Sequence, residues 1–98
     1  MKHFVVELTY KIPAEEIGEV LAEHRAYLKL GYSKGWLLFS GPKVPKTGGV
    51  IVARAPSLEE LRLFFNTDPY FMKDIAEYRF IEFYPVLRQD WMENWVVS

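Results

Sequence analysis

Cysteine is absent from the 98 residues, which excludes a disulfide framework and a thiolate nucleophile and fits a reducing compartment. An excess of one charge is missing too: 12 Lys and Arg face 13 Asp and Glu. No long-range field draws in a polyanion, which argues against nucleic acid and against an anionic membrane surface as partners. Every apolar run falls well short of the ~20 residues a membrane helix needs. Met1-Lys2-His3-Phe4 passes directly into a strand pattern without a signal-type segment, so the expected location is cytoplasmic. Histidines number only 2, and with scattered carboxylates they form no metal-ligand spacing; no metal and no cofactor are expected. Gly48-Gly49 marks a turn and lacks the glycine pattern of a phosphate cradle.

Apolar material, in contrast, is plentiful. A chain that is 50% hydrophobic and 16% aromatic folds around a core, and its length suits one domain over residues 1–98. His3 to Tyr10 alternates Phe4, Val6, Leu8 and Tyr10 with His3, Val5, Glu7 and Thr9, the pattern of a strand. Pro13 suits a helix start, and Ile17, Val20, Leu21 and Leu28 recur at helical spacing opposite Glu15, Glu16, Glu19, Glu23, Arg25 and Lys29, predicting a helix to about Leu30 that stops at Gly31. Trp36 to Phe39 predicts a second strand closed by Ser40-Gly41-Pro42, and after a turn-rich stretch Val50 to Ala53 predicts a third. Ser57-Leu58-Glu59-Glu60 is a capping box, in which hydroxyl and carboxylate satisfy each other's orphaned backbone donors, so a second helix runs from Leu58 to near Asn66. Asp68-Pro69 reads as an N-cap before a first-turn proline, opening a short helical segment to about Ala76. Tyr78 to Val86 predicts the fourth strand. Residues 90–98 form an apolar C-terminal extension carrying Trp91, Met92, Trp95, Val96 and Val97, expected to dock on something.

The order β-α-β-β-α-β predicts an α+β, ferredoxin-like plait: a four-stranded antiparallel sheet with its helices on one face, as right-handed crossovers require. Strands two and three are apolar on both faces, Trp36 and Leu38 opposing Leu37 and Phe39, Val50 and Val52 opposing Ile51 and Ala53. The helices leave one such face bare. Because monomers seldom expose more than a few hundred Å² of contiguous apolar surface, a second copy of the chain is expected to cover it as a homodimer or larger homo-oligomer.

Among chemistry-bearing residues, His24 lies at +3 from Leu21 and +4 from Val20, on the apolar stripe of the first helix. Its ring is either a satisfied core group or, beside a cavity, an acid or base working near neutral pH. Asp68 is locally a helix cap, a role compatible with orienting the histidine or holding a substrate hydroxyl. Ser40 lacks the strained Gly-x-Ser-x-Gly setting of a nucleophile and is placed with Gly41 and Pro42 as a ligand contact. The aromatics are mostly core, some of them candidates to line an apolar pocket. Stacking on single-stranded RNA is disfavoured, since neither middle strand carries a basic and aromatic signature.

His24 on the first helix, the segment from Gly35 to Pro42 ending Leu38-Phe39-Ser40-Gly41-Pro42, the Ser57-Leu58-Glu59-Glu60 helix start and the Asp68-Pro69-Tyr70 turn together resemble YciI-like (YCII-related) proteins over nearly the whole chain. The resemblance implies a dimeric α+β barrel, with two sheets packed face to face. It further implies an active site built on a histidine and an aspartate, matched here by His24 and Asp68, with Ser40 nearby. A few relatives look like lyases that eliminate chloride from chlorinated hydroxyquinols, and neighbouring families include muconolactone isomerases and monooxygenases. The chain departs from a minimal member in its Trp-rich extension, placed either over a pocket or across a partner. The expectation is a small enzyme of lyase or isomerase type acting on a small cyclic or aromatic-derived compound. The alternative is a non-catalytic metabolite-binding or assembly module.

Overall fold

The computed structural model describes all 98 residues. Strand β1 (Lys2–Tyr10) lies inside the sheet, hydrogen-bonded antiparallel to β3 (Gly48–Ala55) on one side and to β4 (Ala76–Phe83) on the other. Strand β2 (Leu37–Pro42) pairs antiparallel with β3, so the order is β2-β3-β1-β4. The alternation in β1 divides the faces: Phe4, Val6 and Leu8 are buried with Ile51, Ala53 and Ala55 of β3 beneath the helices. Helix α1 (Val20–Ser33) contributes Leu28, helix α2 (Leu58–Phe65) contributes Leu61 and Phe65, and the short α3 (Pro69–Met72) contributes Tyr70 to the same core. The predicted α+β plait, a four-stranded antiparallel sheet with α1, α2 and α3 on one face, is the observed architecture.

Several boundaries differ from the predicted ones. Pro13 heads only a single 3₁₀ turn, Ala14–Glu16; Gly18 follows at φ +58° and α1 starts at Val20. Gly31 does not end that helix. It lies under Leu37 and Phe64, where a Cβ would come within 2.8 Å of the leucine side chain. The end comes at Gly35, whose φ of +77° allows a left-handed cap: its N–H donates to Tyr32 O and the Trp36 N–H to Gly31 O. A bulge between Leu37 and Phe39 puts Leu37 on the helix side opposite Ala53 and Phe39 on the open side opposite Val52, and carries Ser40, Gly41 and Pro42 within β2 rather than beyond it. Helix α3 stops at Met72, before Asp74 at φ 56°. Strand β4 ends at Phe83 and not at Val86, because His3 pairs with Phe83 and β1 has almost no backbone left beyond it.

The extension folds back on the chain's own sheet. A 3₁₀ turn, Asp90–Met92, leads into α4 (Glu93–Val97). Trp95 Nε1–H donates to Gly35 O at 3.1 Å, Arg54 Nη1–H donates to Trp95 O at 2.6 Å, and Val96 is buried. Trp95 packs on His3 with ring centroids 5.5 Å apart. Thus the tail covers the His3–Arg54 end of the open sheet face, rather than a pocket.

Candidate functional site

Two elements bring the sequence-predicted residues together. Asp68 caps α3 by accepting the Tyr70 N–H at 3.2 Å, and α1 passes alongside with His24 on its buried side. The imidazole Nδ1 lies 2.8 Å from Asp68 Oδ1 and 2.9 Å from Oδ2. Asp68 is wholly buried and accepts a further bond, at 2.7 Å, from the Tyr78 hydroxyl. A buried carboxylate is tolerable when donors surround it, and here they come from three residues. The carboxylate accepts, so Nδ1–H donates, and the tautomer is thereby assigned: the lone pair sits on Nε2. Nε2 has no protein partner and is not sealed off from solvent.

The Tyr70 ring stacks on His24 at 3.9 Å between centroids and 5° between planes, which holds the imidazole plane. The Tyr70 hydroxyl is buried without a hydrogen-bond partner, and Tyr10 packs edge-on at 5.7 Å without the two hydroxyls reaching bonding geometry. Burial, reinforced by the Asp68 carboxylate, pushes the Tyr78 phenol far up, and burial does the same to Tyr70. Both phenols therefore stay protonated, so Tyr78 remains a donor to Asp68.

His24 lines a cavity of about 170 Å³ between α1 and the ends of β1, β2 and β3, together with Ser40, Gly41, Pro42 and Tyr70. Asp68 stands behind His24, outside the cavity wall. Ser40 is exposed on the wall formed by β2, its hydroxyl 2.7 Å from that of Tyr32. The arrangement can take a proton from, or return one to, a small molecule in the cavity, with Asp68 holding the imidazole in a single tautomer. No three histidines or carboxylates converge to hold a metal ion, and no helix is long and apolar enough to cross a membrane.

Sequence reasoning missed three contributors. Arg25 is exposed, in keeping with its place among the charged residues of α1, but it also lies +4 from Leu21 and −3 from Leu28 and lines the cavity with them; that spacing is the available signal. Tyr70 and Tyr78 belong to the aromatics read as mostly core with some lining a pocket; Tyr70 does line it, but nothing in its local pattern marks it as a stacking partner of His24. Tyr78 alternates with Ala76 and Phe80 on the core side of β4, where a phenol needs a polar partner.

The sequence profile of the YCII-related domain matches residues 3–84. No curated protein matches the chain. Among solved structures, 5-chloro-2-hydroxyhydroquinone dehydrochlorinase from Burkholderia phenoliruptrix, in complex with 2,5-dihydroxybenzoquinone, is similar in fold, with a TM-score of 0.67 at 20% identity over 83% of this chain and 90% of that one. With its profile match spanning His24, the β2 segment and the Asp68 turn, the chain belongs to the YCII-related domain family.

Proposed function

We propose that this protein is a small acid–base enzyme of lyase or isomerase type, acting on a single-ring cyclic or aromatic-derived compound. His24 Nε2 serves as the base and Asp68 as its positioning partner, while Ser40, Gly41 and Pro42 contact the ligand. The observation that carries the reading is the bond from His24 Nδ1 to the buried Asp68 at 2.8 Å, with the remaining nitrogen on the cavity side. In an elimination Nε2 takes a proton from the ring compound, the freed pair becomes a new double bond, and the leaving group departs with the electrons of its own bond. In an isomerisation the same imidazole returns the proton at another atom. The size fits: an apolar cavity of about 150 Å³ accommodates benzene, close to the 170 Å³ here. The similar dehydrochlorinase acts on, and was captured with, compounds of one ring.

Screening lactones and hydroxylated or chlorinated aromatics, followed by His24→Ala, tests this directly. A correctly placed proton-transfer group contributes ~10²–10⁴-fold, so turnover should fall by about that factor while the fold is kept. Undiminished turnover overturns the proposal.

A homodimer through the open sheet face completes it. Phe39, Val50, Ile81 and Phe83 are exposed there beside half-buried Val5 and Val52, around Glu7, which pairs with Lys43 at 3.1 Å. The tail covers only one end of this face, and a second copy supplies the apolar cover that the rest lacks. Sedimentation should give a dimer that Val52→Lys dissociates; a stable wild-type monomer at micromolar concentration would rule it out.

A further inference from the structure

The cavity beside His24 opens against a second hollow of about 180 Å³, and the two share Tyr10, Leu21, Arg25 and Pro42 in their walls. No carboxylate lines either one. Arg25 lines both, and Lys46 lines the second hollow. Neither cation forms a salt bridge or a side-chain hydrogen bond, a condition shared by Lys29, Lys34 and Arg62 away from these hollows, whereas Lys2, Lys11, Lys43, Lys73, Arg79 and Arg88 all find carboxylates. In a chain whose charges nearly balance, two unpaired cations in the walls of these adjoining hollows form a local positive end to an otherwise neutral cleft.

The geometry points to Arg25, assisted by Lys46, as the anion-holding arm of this site, so that its substrate is a ring compound bearing a carboxylate or another anionic oxygen. The inference rests on the proposed site at His24 and names the substrate class for it. An Arg guanidinium presents a planar fork of donors that matches a carboxylate in two-bonded geometry, which a Lys point charge does not. Held by Arg25, the ring lies in the cavity beside His24, its reacting atoms toward His24 and its anionic substituent toward the second hollow. The buried Tyr70 hydroxyl, without an acceptor in the protein, belongs to the same wall. The Arg25 charge already acts on that phenol, opposing its upward shift.

Binding of 2,5-dihydroxybenzoate and of its uncharged amide, 2,5-dihydroxybenzamide, followed through the NMR resonances of the His24 and Tyr70 rings, separates the possibilities. Charge-assisted bonds of this kind support roughly a 10- to 100-fold preference for the acid. The preference should collapse in Arg25→Gln, return in part in Arg25→Lys, and shrink only a few-fold in Lys46→Gln. It should also narrow as salt rises, since both cations are exposed. Equal affinity for acid and amide, with both still shifting His24, overturns the anion arm and leaves the His24 site standing. Failure of both probes to move His24 overturns the arm and the site together. If Arg25→Gln does not fold, Lys46→Gln and the salt dependence of the wild-type preference decide alone.

Discussion

The two histidines make an instructive pair. His24 and His3 are both buried, at 8% and 1% exposure, on opposite sides of one sheet. His24 gives one nitrogen to a carboxylate and leaves the other free beside a cavity. His3 has no hydrogen-bond partner for either nitrogen and is packed between Trp95 and Tyr84. Burial pulls the pKa of His3 down, and the cations facing it, the chain's amino terminus, Arg54 and Arg88, pull the same way, against the Val96 backbone, which stands outside hydrogen-bond geometry. So the more buried ring is the one without a partner. Burial places an imidazole, but a fixed acceptor on one side and open space on the other are what fit it for proton transfer.

That contrast can be broken most severely at the carboxylate. Asp68→Asn keeps a capping side chain but cannot accept from His24 through both oxygens, and turnover should fall by about 10²–10⁴-fold as ¹⁵N NMR of His24 loses its single tautomer. An unchanged rate would reduce Asp68 to a helix cap. On the other face, Trp95→Ala removes the bond to Gly35 and the lid over His3. Unfolding in urea should register a loss of about 2–3 kcal/mol, below the full core value because the indole is only half-buried, and His3 should then titrate closer to its ordinary 6.5. No change in stability would mean the tail is not docked in solution.

Tyr78→Phe sharpens the comparison more gently. It withdraws one of three donors from a buried carboxylate at a cost of about 1–3 kcal/mol, measurable as a lower Tm, while the His24 bond persists. The smallest effect belongs to His3 and pH. The unfolded ring binds a proton near 6.5, whereas the folded one resists it, so the unfolded state holds more protons. Stability is therefore full above pH 6.5, declines as pH falls through the lowered folded value, and levels off below it. In His3→Phe this slope should flatten without altering turnover; a slope that survives belongs to other groups.

Much of the frame was legible locally. The alternation of Phe4, Val6 and Leu8, the Ser57 helix cap and the Asp68-Pro69 start depend on contacts within a few residues, and each lies where the pattern placed it, although the Glu60 carboxylate accepts from the Ser57 hydroxyl and not from its backbone N–H as the full capping box requires. Gly31 misled because its lack of a side chain serves close packing against Leu37, a demand that comes from another element. Strand ends at Ala76 and Phe83 likewise depend on how far β1 extends opposite them. The cavity-side place of Arg25 was legible and missed: its i−4 and i+3 neighbours, Leu21 and Leu28, are both apolar.

From the chain alone come the element order, the absence of thiol chemistry, the near-neutral charge, and the presence of His24 and Asp68 on elements that could meet. Only tertiary packing joins residues 44 positions apart into a bonded pair, stacks Tyr70 on the imidazole, aims Tyr78 at the carboxylate and lays the terminal tryptophan over His3. The physical reason is range: propensity, capping and periodicity act within a turn or a strand, whereas a hydrogen bond between side chains exists only once separate elements have been packed to within about 3 Å.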